Sequence, residues 1–171
     1  MDYRLLHGFG VGAISMGLIF SILLLAGQAE VIGVNQGKLV SWIIPVNLMS
    51  VGVTAFSEEM LMRGFIMTAL KTTRIKWLIF ALPAVLFSFA HLLNPDPTIL
   101  SLTNTFIAGL LFGYIFVKSG KLWLPAGFHI AWNFFQGDIF GMNVTGNEQA
   151  SLLLTKLRTN EMLSGGAVGH E

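Results

Sequence analysis

The amino-acid sequence predicts an all-α fold, a polytopic transmembrane helical bundle of about five spans followed by a polar C-terminal tail. Three observations predict it. Apolar tracts of about 20 residues, the length that crosses a bilayer, recur along the chain. Hydrophobic residues make up 54% of the 171 residues and charged ones only 11%, well under the roughly 25% charged of soluble domains. The Lys and Arg residues fall mainly in alternate loops between the tracts. The length suits one domain. A net charge of +1 offers no basic face to neutralise phosphates, so a nucleic-acid partner is not expected. The absence of cysteine excludes disulfides, thiolate metal sites and a cysteine nucleophile.

The first tract covers residues 5–29. The small residues of "AGQA" suit a signal-peptide cleavage site, but the apolar stretch exceeds the usual h-region of about 7–15 residues, so a retained span is expected. Gly8, Gly12 and Gly17 within it suit close helix packing, although membrane helices also tolerate glycine without using it, and that plainer reading is preferred here. The second tract runs over 39–57 and on to about residue 70, with Pro45 expected to mark a start or a kink; its span proper is read as 46–70. The third covers 77–93 and stops at the turn residues Asn94, Pro95, Asp96 and Pro97. The fourth covers 98–117. The fifth opens at Pro125, a residue suited to a first helical turn, and reaches about residue 139. Residues 1–140 thus form the membrane domain. Residues 141–171 form the polar tail, with 152–157 able to make one short helix, and its Gly-rich end reads like the approach to a further span.

Arg4, then Lys71, Arg74 and Lys76, then Lys118 and Lys121 share one side of this arrangement. By the positive-inside rule that side, with the N-terminus, is cytoplasmic.

Ionisable groups at membrane depth cost several kcal/mol unless paired or hydrated, so each is a candidate functional residue. The tracts hold Glu58, Glu59, Arg63, His91 and His129, with Asn133 as a polar neighbour. Glu59 and Arg63 are one helical turn apart and suit an ion pair. Glu58 lies about 100° further round the helix and so meets a different neighbour. His129 and Asn133 share a face. A carboxylate in a low-dielectric cavity is a competent general base toward water. A histidine beside it can relay the proton, and a second histidine with an asparagine can donate to an oxyanion. These are the parts for peptide-bond hydrolysis by activated water.

Three motifs, "EEMLMR" (58–63), "FSFAH" (87–91) and "HIAWN" (129–133), occur in order on separate apolar helices. In them the sequence resembles the CPBP family of CAAX-protease and bacteriocin-processing (Abi) intramembrane endopeptidases, over a motif core of about 46–140. The resemblance implies a glutamate-dependent intramembrane protease. It implies that Glu58 activates water with His91 assisting, and that His129 and Asn133 form the oxyanion site. Glu59, Arg63 and Phe87 support them. No cofactor is expected; were zinc used, Glu58, His91 and His129 would be its ligands. The partners implied are membrane lipids and a peptide or protein substrate entering from the bilayer or the cytoplasmic side. The alternative within the family is a non-catalytic membrane protein acting in bacteriocin immunity or partner binding. A proton carrier ranks last, having no supporting motif. The small size and plain composition favour a prokaryotic plasma membrane.

Overall fold

A computed structural model of the protein describes residues 2–95, 97–144 and 150–158. Helix α1 (Tyr3–Leu25) leads to strand β1 (Ala29–Val34). Helix α2 (Lys38–Glu59) then runs without interruption into a π-helical stretch (Met60–Met67), the short α3 (Thr68–Leu70) and a 3-10 turn (Lys71–Thr73). Helix α4 (Lys76–Ala90) ends in a 3-10 turn (His91–Leu93), and α5 (Ile99–Ser119) follows. Helix α6 (Trp123–Phe134) continues as a second π-helical stretch (Phe135–Ile139), and β2 (Leu153–Leu157) closes the described chain.

The chain is an integral membrane helical bundle, as its sequence predicts. Among the described residues, Tyr3–Leu25, Lys76–Leu93 and Ile99–Ser119 are each long and apolar enough to cross a membrane. The two further expected spans exist as helices, but the first carries the Glu–Glu–Arg cluster and the second is cut short by its π turn. Pro45 lies inside α2 rather than at its start, which is Lys38. Pro125 sits in the first turn of α6, where its missing N–H costs nothing.

Both faces of α1 are apolar, but they differ in size. Val11, Ile14, Leu18 and Ile22 are exposed and form the face suited to lipid. Gly8, Gly12, Met16, Phe20 and Leu23 face inward. Lipid tails are as apolar as a protein core, so helices in a bilayer associate through close packing rather than hydrophobic burial. Here α1 lies along α6 with backbones nearly touching. A Cβ at Gly8 would collide with the Leu124 carbonyl oxygen, one at Gly12 would lie 2.5 Å from that of Phe128, and one at Gly127 would collide with that of Leu5. Gly8 and Gly12 are therefore used, which corrects the plainer reading for these two. Gly17 and Gly10 would meet nothing.

The short helix expected over 152–157 is instead a strand. In Leu153–Leu157 half-buried and exposed residues alternate, the period of a strand with one covered face. It pairs antiparallel with β1, with Ala29 opposite Leu157 and Val34 opposite Leu153. The half-buried Leu153 and Leu157 pack on Met16, Phe20, Leu23, Ala29 and Met142. Gly141, at φ +65°, turns the chain toward β2, with the Leu153 carbonyl oxygen where a Cβ would project. The start of the expected polar tail is thus part of the fold, while 145–149 and 159–171 lie outside the described residues.

Candidate active site

Three of the sequence-predicted residues make one buried cluster. Glu59 and Arg63 are fully buried, and the guanidinium donates to Glu59 Oε1 at 2.9 Å. Its other amino group donates to the Gly109 carbonyl oxygen at 2.9 Å. The rings of Phe87 and Phe112 lie 4.9 and 5.2 Å from the guanidinium carbon. Cation–π contacts of this kind strengthen on desolvation. The expected ion pair is present, and α5 completes its cage.

Glu59 also does something its ion pair did not foretell. Its Oε1 lies 3.1 Å from His129 Nδ1. A carboxylate bound to arginine accepts, so this nitrogen is the donor. His129 is buried, stacked on Phe112 at 4.7 Å between centroids, and its Nε2 faces Glu58 Oε2 at 3.7 Å. The Glu59–Arg63 pair, expected to support the site, therefore touches one of its histidines directly. The pair positions His129, and the imidazole bridges the two glutamates. The π-helical stretch beginning at Met60 brings Met62, Arg63 and Met67 inward together. The hydroxyl of Thr68 donates to the Arg63 carbonyl oxygen across five residues. Such π turns are frequent at functional sites.

Glu58 is partly exposed, its side chain retaining 34% of its accessible surface. It lines a cavity of about 360 Å³ together with Thr54, His91, Asn94 and Asn133. His91 closes α4, and its Nδ1 donates to the Phe87 carbonyl oxygen at 2.8 Å, leaving Nε2 as the free ring nitrogen. A neighbouring cavity of about 180 Å³ is lined by His129, Phe112, Phe128, Trp132 and Gln136. Phe87, His91, Asn133 and Val144 border both spaces. All four candidates, Glu58, His91, His129 and Asn133, thus line two adjoining cavities. These lie toward the α4–α5 turn, the half of the bundle away from the basic loops.

Zinc would need Glu58, His91 and His129 to converge. Among the described residues no three His, Cys, Asp or Glu side chains gather as a ligand set. As placed, these side chains do not form a ligand set for the ion.

Sequence reasoning missed Phe112, Gly109 and Gln136. Phe112 and Gly109 lie on an apolar helix whose titratable residues, Tyr114 and Lys118, sit in its last two turns, so no local signal marks them.

The family model for the type II CAAX prenyl endopeptidases, Rce1-like, matches residues 40–135. The chain belongs to this family. The match covers α2, the π stretch, α4, α5 and α6 of this Rce1-like chain, and with them every residue of the cluster. Comparison with curated proteins and with solved structures returned no match. The Rce1-like family is a membrane protease family, so protease activity on a peptide, in a membrane setting, is the activity it supports at the coarse level.

Proposed function

We propose that this Rce1-like protein is an intramembrane endopeptidase that hydrolyses a peptide bond with a glutamate-activated water and no metal. One observation carries the reading: His129 is held by Glu59 on one ring nitrogen and faces Glu58 on the other, beside a cavity shared by Glu58, His91 and Asn133. A water between these groups gives a proton to the Glu58 carboxylate, with Nε2 of His91 as the second acceptor, while its oxygen bonds to the scissile carbonyl carbon. The resulting oxyanion accepts from the carboxamide N–H of Asn133 and from Nε2–H of His129, the imidazole carrying a proton on both ring nitrogens between the carboxylates of Glu58 and Glu59. Collapse breaks the C–N bond, and the proton held at Glu58 passes to the leaving amine. Glu59 and Arg63 keep His129 in one orientation, as a buried carboxylate does in other histidine-based sites.

The test uses the full chain reconstituted in liposomes with a fluorogenic peptide reporter. Glu58→Ala and His91→Ala are expected to abolish cleavage, and a chelator is expected to leave the unsubstituted protein active. Undiminished cleavage in both variants would sink the mechanism, and loss of activity on chelation, restored by zinc, would replace the metal-free step.

A further inference from the structure

Two polar atoms beside the catalytic cavities are buried and lack any hydrogen-bond partner: Gln136 Oε1 and Asn94 Nδ2. Leaving such a group unpaired costs about 1–3 kcal/mol, so each needs a reason. Neither residue belongs to the three motifs. Gln136 is 1% exposed and lies on the π-helical stretch after α6. Its carboxamide nitrogen donates to the Asn143 carbonyl oxygen at 2.6 Å, which fixes the amide plane and leaves the oxygen as an acceptor without a donor. Asn94 terminates the turn that carries His91. Gln136 lines the smaller cavity and Asn94 the larger. His91 and Asn133 line both cavities.

A polypeptide in extended form presents both kinds of partner, a carbonyl oxygen and an amide N–H at every residue. We infer that Asn94 and Gln136 are the backbone-binding residues of the substrate site: Asn94 donates to a substrate carbonyl on one side of the scissile bond, and Gln136 accepts from a substrate N–H on the other. The inference rests on the endopeptidase reading for what the site does, and adds which groups hold the chain across it. Main-chain contacts give affinity without reading side chains, the division of labour seen where extended peptides are bound. It also explains why one unpaired atom belongs to each of the two cavities that share His91 and Asn133, the groups that would meet the bond.

The test measures binding rather than cleavage, so that it stands apart from the catalytic reading. A blocked valine–alanine peptide carrying a quencher is titrated against tryptophan fluorescence of the reconstituted full chain, with Glu58→Gln in every protein to prevent turnover. Asn94→Leu and Gln136→Met are each expected to weaken Kd about tenfold, the loss of one buried hydrogen bond, while melting midpoints stay close to that of the parent. N-methylation along the peptide is expected to weaken parent binding about tenfold at one amide, with no further loss at that amide in Gln136→Met. Unchanged Kd in both variants, equal N-methyl losses in parent and Gln136→Met, or no binding of the peptide to the parent each overturns the inference. Failure of the catalytic reading would show instead as cleavage that survives Glu58→Ala.

Discussion

Glu58 and Glu59 are adjacent in sequence, yet removing one or the other has different consequences. Glu59 is fully buried against Arg63. Glu59→Gln strands the guanidinium in a dry interior, and breaking a buried pair this way costs about 3–5 kcal/mol. A lowered melting midpoint in detergent is the expected result. Replacing both partners by methionine is expected to cost less than the single change, because no charge is left unpaired; a double variant that melts below Glu59→Gln would contradict this. Glu58 is partly solvated, so Glu58→Gln is expected to keep the midpoint and lose cleavage. Much of this contrast was legible in the sequence, since a separation of four residues fixes which carboxylate meets Arg63. The link from Glu59 to His129 was not, because it joins residues 70 apart and depends on how α2 meets α6. The same holds for the Gly109 carbonyl oxygen and the Phe112 ring, which are defined by packing rather than by residue type.

Helix α6 carries His129 and Asn133 but has few turns of its own, so its position is set by α1 lying behind it. Gly8→Ala places a methyl group into the Leu124 carbonyl oxygen, a backbone atom that cannot rotate aside. The helices must separate, and both the melting midpoint and cleavage are expected to fall. Gly10→Ala, on the open side of the same helix, is expected to leave both unchanged; equal effects from the two substitutions would show that the close packing is not what positions α6. The start of α1 is set by Asp2, whose side chain caps the helix by accepting from the Arg4 backbone N–H. That hydrogen bond, with the Lys121 ammonium at 3.3 Å, holds the Asp2 carboxyl below its ordinary value of 3.8. A pKa depressed in the folded state stabilises above the unfolded value and is lost as pH falls through the folded one. NMR titration of Asp2 in the folded protein is expected to give a midpoint under 3.8. Asp2→Asn, which keeps a capping oxygen, is expected to remove that step from the acid dependence of stability. The helices themselves were readable from apolar length. The pairing of β1 with β2 was not, since each strand is short and its partner comes from the other end of the chain.

At the scale of the whole molecule, the basic loops gather at one end of the bundle. Lys121 reaches Asp2 at 3.3 Å, and the Lys71 ammonium lies 4.9 Å from the Phe116 ring near the end of α5. The start of α1, the loop after α3 and the loop after α5 therefore share a level, as the charge pattern requires. The β1–β2 sheet follows the other end of α1. Lys156 and Arg158 belong to that opposite end, on or just after a strand rather than beside a span, and the positive-inside rule gives such residues little weight. If the rule sets the orientation, the sheet faces away from the cytoplasm, and Glu58 lies in the half of the membrane nearer to it. The chain contains no cysteine, so single-cysteine variants report this without background. Ile32→Cys, at an exposed position of β1, is expected to react with a membrane-impermeant maleimide in intact cells. Lys118→Cys, in the last turn of α5, is expected to react only after permeabilisation. The reverse pattern would invert the protein in the membrane and place the cavities beside Glu58 in its cytoplasmic half. Labelling of both sites from one side would mean that the sheet and the basic loops do not lie across a bilayer from each other.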